Sequence, residues 1–397
     1  MTNPLSGLGN VGEMAVRPLR VAHVGKYSPE SASGPSKAIA AMLTHLPHHG
    51  VEVELWHFDR RCEESEWRNT DGIQVFHLPK RPRSASFVMD LPKDTKEALR
   101  ARSERIDLVH FHSVFIPENT RAASLLRVPY IISPRGGYGR SVLTGRNRLA
   151  KKIWLATHER RYISTARALH AVSLAEASEL EHLVPRDQIF CVPNGIDEKI
   201  LERPLRGPSG KTLLFLGRLA VKHKGIDLVL AGYAEFLRKT GDRLSELIIA
   251  GPDFRGDKKR IEQTIDQLGL RSRVSLPGGV FGDDKWRLID RAYAFVLTSR
   301  WEGMPFALLE ALAAGRPALV TPETNLGDLV ARYGAGVEVT GKVQEIASGL
   351  QFLLSLPREE YFRMQLQARR LTSERFTWER VVKDLASHYR RITMTGS

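Results

Sequence analysis

Apolar residues along this 397-residue chain fall in short runs separated by amphipathic segments. After a loose tail (1–16), RVAHVGKY (20–27) predicts a buried strand and SPESASGPS a loop. KAIAAMLTHL then predicts a helix opened by Gly34-Pro35-Ser36, because proline in a first turn leaves no hydrogen bond unmade. VEVELWHF (51–58) alternates with period two and predicts a second strand. IDLVHFH (106–112), PYIIS (129–133), ALHAVS (168–173) and IFCVP (189–193) predict further strands, with a long basic helix near 147–166.

The pattern then restarts. Strands are predicted at KTLLFLGRL (211–219), SELIIAGP (245–252), RVSLPG (273–278), AFVLTS (294–299) and RPALVT (316–321). Helices are predicted between them, at GIDLVLAGYAEFL, KKRIEQTIDQLGL, KWRLIDRAY and PFALLEALAAG. Strands alternating with helices mean βαβ units and a mostly parallel sheet. The segment CVPNGIDEKILERPLRGPSG (191–210), with three prolines and three glycines, reads as a hinge. The predicted layout is a first domain at 17–192, a linker at 193–210, a second domain at 211–375 and a terminal helix at 376–397. Thr377 is placed to cap that last helix and Phe376 to staple onto Val381. Two doubly wound halves in tandem imply a cleft, with ligands outside the carboxyl ends of the strands.

Composition narrows the class. The chain is too long for one ordinary core, and its 42% hydrophobic content suits a folded globular protein. Two cysteines, Cys62 and Cys191, make no disulfide framework, so a reducing cytoplasm is expected. No apolar run approaches the roughly 20 residues that cross a bilayer, and the first residues lack the pattern of a signal peptide. The net charge of +14 is concentrated: from Arg135 to Arg167, nine basic side chains face a single acid, Glu159. Such a field attracts an anionic partner or is a solvated basic face.

Four constellations carry candidate chemistry. In SRWEGMPFALLEALAAGRP (299–317), Glu302 precedes a helix begun at Pro305 and Glu310 lies on its second turn. Eight residues span about 12 Å along a helix, more than the roughly 5–9.5 Å of a glycosidase carboxyl pair. The pair therefore suits the two ends of one ligand. The free amides of the helix start, around Phe306 and Ala307, suit a phosphate between them. A nucleotide sugar has that layout. In LGRLAVKHKGID (216–227), Arg218 and Lys224 supply a fork and a point charge, two usual grips on a diphosphate. In the first strand–loop–helix unit there is no GxGxxG, but Gly34 allows close approach of an anion. In SPRGGYGR (133–140), Arg135, Gly136 and Arg140 follow a strand and suggest a ligand loop. His110 and His112 share one strand face; without a partner Cys or acid they read as hydrogen-bonding groups rather than metal ligands. Asp283-Asp284 is no compelling cation motif.

The ordered set DLVHFH, SPRGGYGR, VPNGID, FLGRLAVKHKGID, IAGPD, LPGGVFGDDKW, SRWEGMPFALLEALAAGRP and FTWERVVKDL resembles the retaining glycosyltransferases of family 4, from about residue 18 to 392. That resemblance implies an α/β fold of two Rossmann-like, doubly wound domains facing across a cleft, with the C-terminal helix crossing back to the first domain. It implies that the second domain binds a nucleotide diphosphate sugar and the first a saccharide or lipid-linked acceptor. By the same resemblance Arg218 and Lys224 hold the diphosphate, Glu310 the ribose diol and Glu302 the donor sugar, with Met304, Phe306 and Ala307 giving backbone donors. Gly34 meets the diphosphate from the other domain, and Val280 contacts the base through its backbone. No metal and no cofactor beyond the co-substrate are implied. Where many relatives carry His-Gly, this chain has Arg135-Gly136. An arginine stays protonated and cannot be a general base, so the departing phosphate is expected to take the acceptor proton and Arg135 to act electrostatically.

The expected activity is hexosyl transfer with retention in polysaccharide biosynthesis, with a UDP-sugar favoured over a GDP-sugar. An epimerase of the same fold would need acid and base groups on both sugar faces, and the first-domain loops offer only Glu30 and Glu118. A nucleic-acid or membrane binder would leave the ordered Arg218, Lys224, Glu302 and Glu310 unexplained, so no nucleic-acid partner is expected. The segment NRLAKKIWLATHERRYI mixes Leu149, Ile153, Trp154, Leu155 and Tyr162 with basic groups. It could rest on an anionic membrane face or turn its apolar residues into the domain's own core.

Overall fold

The computed structural model describes residues 17–27, 34–70, 72–81, 90–139, 143 and 148–394. The predicted tail, Glu30, Arg140 and Arg146 lie outside them. The first sheet comprises β1 (Leu19–Val24), β2 (Val51–Asp59), β3 (Glu66–Thr70), β4 (Ile73–Pro79), β5 (Leu108–His112), β6 (Tyr130–Ser133), β7 (Ala168–Ala171) and β8 (Ile189–Cys191). Its order is β3-β4-β2-β1-β5-β6-β7-β8, parallel except for β3 against β4. The second sheet comprises β9 (Thr212–Leu216), β10 (Glu246–Ala250), β11 (Val274–Gly278), β12 (Ala294–Leu297), β13 (Ala318–Val320) and β14 (Gly336–Glu338), in the order β11-β10-β9-β12-β13-β14. Both are the α/β sheets expected, and fully buried runs such as LVHFH and TLLFL carry their centres.

Strand order reverses between β1 and β5 in the first sheet and between β9 and β12 in the second. Crevices outside the carboxyl ends of the strands form at such points. The terminal helix Trp378–Met394 crosses back as expected: Val381, Val382, Leu385 and Tyr389 pack with Val21, Met42, Leu108 and Ile131 of the first domain. Beside it the linker makes a parallel bridge, with Ile196 donating to the Phe376 carbonyl (2.6 Å) and Trp378 donating to that of Ile196 (3.0 Å). The expected staple is not formed. Phe376 belongs to the second domain's core and Val381 to the first's, because the helix begins where the chain passes between them.

The basic stretch is not one regular helix. It runs as Arg148–Trp154, a π-helical turn Leu155–Glu159, and Arg160–Ser164. Its single acid, Glu159, is fully buried, accepting from the Phe115 amide (2.8 Å), the Trp154 indole (3.2 Å) and the Tyr138 hydroxyl. Burying that carboxylate among three donors accounts for the wider turn, which rotates the helix to reach them.

Candidate active site

From β9 the chain turns through Gly217 and Arg218 into the short helix Val221–Lys224, which Gly225 ends at φ +62°. A Cβ on Gly225 would lie 1.8 Å from the Thr298 carbonyl oxygen. Glycine alone lets this loop meet the end of β12. Lys224 Nζ there donates to Glu302 Oε1 (2.5 Å), and the Ser299 hydroxyl donates to the same oxygen (2.7 Å). Burial pushes the Glu302 carboxyl up, but Lys224 and these hydrogen bonds outweigh it and hold it below the usual range. His223 stacks on Trp301 at 4.6 Å between ring centroids. Burial drives its pKa to about 4, so it is neutral at pH 7 and its 3.9 Å approach to Glu302 is not an ion pair. Arg218 is exposed, its guanidinium over the Phe254 ring.

The helix Phe306–Ala313 starts after Pro305, and the first-turn amides of Phe306 and Ala307 have no backbone partner among the described residues. Asn325, left-handed at φ +62°, donates its amide to the carbonyls of Glu302 (2.7 Å) and Gly303 (2.8 Å) and fixes the loop before the helix. Glu310 is buried, and its Oε1 accepts from Lys285 (2.9 Å) and Lys37 (3.2 Å). Lys37 belongs to the first domain's helix Gly34–His45, so this ion pair spans the cleft. Burial lowers Lys285, with Glu310 opposing and Lys37 adding. Gly34 opens that same helix, and a Cβ on it would touch the Phe306 ring at 3.5 Å. Val280 packs its side chain on the second core at the carboxyl end of β11.

In the first domain the chain leaves β6 through Arg135 (φ +52°) and Gly136 (φ +79°). Glu176, whose helix is capped by Ser173, accepts from the amides of Gly136 and Val172 and sets this loop. A Cβ on Gly136 would stand 3.4 Å from the Gly303 amide, and one on Gly303 would stand 3.3 Å from the Arg135 carbonyl carbon, so the two domains meet backbone to backbone here. Arg135 donates to Asn194 Oδ1 (2.9 Å), while Asn194 donates through Nδ2 to the Met304 carbonyl (3.0 Å) and through its amide to Met304 Sδ (3.1 Å). Among the described residues no carboxylate is within ion-pair distance of Arg135. Burial lowers its pKa to about 10, opposed by Glu176 and Tyr389, and it remains a cation at pH 7.

Behind Arg135 lie four fully buried histidines, and their hydrogen bonds fix the tautomers. His170 Nε2 donates to the Val192 carbonyl (2.8 Å), leaving its Nδ1 to accept from the Ser133 hydroxyl (2.7 Å). Ser133 accepts from His110 Nε2 (2.7 Å), whose Nδ1 accepts from the Tyr389 hydroxyl (2.6 Å). Arg135 faces His112 Nδ1 at 3.5 Å, and His112 Nε2 donates to His23 Nδ1 (2.9 Å). His23, His110 and His112 could geometrically bracket an ion. These hydrogen bonds use both His110 nitrogens, and the Arg135 cation stands beside the cluster, so the donor set does not suit a metal.

The structure thus brings Arg218, Lys224, Glu302, Met304, Phe306, Ala307 and Glu310 to one side of the cleft and Gly34, Arg135 and Gly136 to the other. Lys37, Asn194, Lys285, Asn325 and His23 were not singled out from sequence. Only Asn194 carried a signal, the PNG turn. The apolar residues of the basic stretch divide: Leu149 and Ile153 are 68% and 56% exposed, whereas Tyr162 is buried and Leu155 packs on the core.

Comparison with known proteins places this geometry in a family. Residues 32–199 match the model of Glycosyltransferase Family 4, and residues 197–371 match that of Glycosyl transferases group 1. An uncharacterised glycosyltransferase of Methanocaldococcus jannaschii is 25% identical over 92% of this chain and 96% of its own. A GDP-mannose:cellobiosyl-diphosphopolyprenol alpha-mannosyltransferase of Xanthomonas campestris is 27% identical over 71% and 73%. Among solved structures, an Anabaena protein in complex with UDP and glucose superposes with TM-score 0.72 at 15% identity, over 94% of this chain and 100% of that one. The chain belongs to the group 1 glycosyltransferases.

Proposed function

We propose that the protein transfers a hexose, with retention, from a nucleotide diphosphate sugar to a saccharide or lipid-linked saccharide in polysaccharide biosynthesis. The observation that carries the reading is Glu310 meeting lysines of both domains while Lys224 is held by Glu302. In this reading the ribose diol donates to Glu310 in place of Lys37, and the diphosphate lies on the amides of Phe306 and Ala307 between Arg218 and Lys224. The C1–oxygen bond to the diphosphate breaks, the acceptor hydroxyl bonds to C1 on the same face, and its proton passes to the departing phosphate oxygen. Arg218 and Lys224 stabilise the charge that develops there, and Arg135 adds a fixed cation on the acceptor side. No metal is required by this scheme.

The donor base is taken as uracil first and guanine second. The Anabaena structure holds UDP, and the Xanthomonas relative is named for GDP-mannose. Proton NMR of the product made from UDP- and GDP-sugars tests the reading: an anomeric coupling of the donor's own configuration supports it, and inversion contradicts it.

A membrane-facing role for the basic stretch is part of the proposal. Exposed Leu149 and Ile153 flank Lys151 and Lys152 on one short helix, the composition of an interfacial anchor. Anionic vesicles should sediment the protein at low salt and release it at high salt. Absence of binding at low salt would remove this role. The epimerase alternative loses ground because Glu118 is paired with Lys80 at 3.5 Å.

A further inference from the structure

A cavity of about 500 Å³ opens in the first domain away from the cleft. It is bounded by the helix Pro117–Ala123, the turn leading into β6 and the helical turns from Leu155 to Ser164. It sits at the amino end of β6, whereas Arg135 follows the carboxyl end. Four strand residues separate the two by about 13 Å.

The lining has an unusual division of labour. Arg121, Arg127 and Arg161 are exposed around the opening, His158 stands with them, and no carboxylate is among the lining residues. Arg127 is paired with Glu104 at 3.8 Å and Arg121 acts on the Asp90 carboxyl, both acids standing outside the lining. Four of the lining hydroxyls donate to helix carbonyls. Thr120 donates to Pro117 (2.9 Å), Ser124 to Arg121 (2.7 Å), Thr157 to Ile153 (2.7 Å) and Thr165 to Arg161 (2.7 Å). Thr157 also meets His158 Nδ1 (2.7 Å) and Thr165 the Tyr130 hydroxyl (2.6 Å), so it is chiefly the Thr120 and Ser124 oxygens that offer lone pairs to a ligand. The lining residue Tyr162, by contrast, has a buried hydroxyl without a hydrogen-bond partner.

Guanidinium groups grip phosphate oxygens two at a time, and three around one opening suit a phosphate group, whether a monoester or a diester. Acceptor-only oxygens select a ligand that brings its own O–H donors. The volume is that of a small-molecule site. We propose that this cavity binds a phosphate ester bearing free hydroxyls, that is, a phosphorylated polyol. The ester reaches it either free in solution or as a phospholipid headgroup. The second source is physically open because exposed Leu149 and Ile153 lie on the same helical stretch as Arg161.

The test uses the full-length protein and two matched probes, glycerol 3-phosphate and phosphatidylglycerol vesicles, with phosphatidylcholine vesicles as the uncharged reference. Calorimetric titration should give a glycerol 3-phosphate Kd on the order of 0.1–1 mM, unchanged by saturating nucleoside diphosphate. Arg161→Gln should weaken it at least about tenfold, about 1.4 kcal/mol. Arg260→Gln, an exposed arginine of the second domain, should not alter it. If the free ester fails to bind but phosphatidylglycerol vesicles do, and Arg161→Gln releases them while Arg260→Gln does not, the headgroup is the source. Should Arg161→Gln not fold, Arg127→Gln serves in its place. Absence of binding to both probes, or variants that bind as the parent does, would overturn the site. Neither result bears on donor binding, which is read separately.

Discussion

Lys224→Ala is expected to lower kcat by on the order of 10²–10³, the usual cost of removing one preorganised donor from developing charge. Lys224 is held in place from three directions. Gly225 ends its helix in a conformation a side chain would not tolerate, the Thr298 hydroxyl donates to the Gly225 carbonyl (2.8 Å), and Glu302 fixes the ammonium. A cation so constrained needs little reorganisation when the diphosphate departs. The substitution also leaves Glu302, buried and otherwise held by Ser299, without its cation, and such a loss costs about 3–5 kcal/mol of stability. The two effects separate experimentally. kcat is measured well below the variant's unfolding temperature, and Lys224→Arg, which retains the charge but not the point geometry, should recover stability more fully than turnover. A Lys224→Ala enzyme within threefold of the parent's kcat would remove this residue from the mechanism.

The first domain should be labile to mild acid. His23, His110, His112 and His170 are almost wholly buried and neutral, because burial and then neighbouring charge, Arg135 above all for His23, His112 and His170, disfavour their protonation. His23 and His170 are lowered to about 3, and the other two are lowered well below their ordinary value. Their native values lie below the unfolded value of about 6.5. Between about pH 6.5 and 3 the unfolded chain therefore binds more protons, and stability falls as the pH falls. Each histidine costs about 1.4 kcal/mol per pH unit across that window. Four of them over the step from pH 7 to 5 reach on the order of 8 kcal/mol, comparable with a domain's whole stability. Glu159 and Glu176, raised by burial, oppose this in part. Urea midpoints at pH 7, 6 and 5 should fall steeply. His23→Leu should shallow the slope by about one proton, and it is the mildest deletion because His23 Nε2 has no hydrogen-bond partner. Equal midpoints at pH 7 and 5 would contradict the assignment of four neutral imidazoles.

The central strands were legible because burial on both faces leaves continuous apolar runs, as in LLFL of β9 and FVL of β12. β3 was not. Every residue of EWRNT but the last is exposed, and its strand character comes from pairing with β4 across a turn in which Asn69 Oδ1 accepts from Gly72. The Asp71-Gly72 dipeptide is a hairpin signal that the apolar pattern does not register. At the site, motif spacing marked Lys224, Glu302 and Glu310, which lie close in sequence to the glycines and the helix start that position them. Lys37 and Lys285 carry no such mark. Each is a lysine on an ordinary amphipathic helix until folding brings both to Glu310. The histidine cluster was half legible: His110 and His112 share a strand face, but His23 and His170 join them from β1 and β7 through sheet order, which the sequence does not state.

The central claim is that Glu310 receives the ribose of a nucleoside diphosphate at the cleft. Calorimetric titration of the purified protein with UDP, GDP and ADP, without divalent metal, tests it directly, repeated on Glu310→Ala. One diphosphate should bind well above the others, and loss of Glu310 should weaken it by on the order of 10–100-fold, the worth of hydrogen bonds to a charged acceptor. Failure of all three to bind the parent protein, or equal affinity in the variant, would contradict the account.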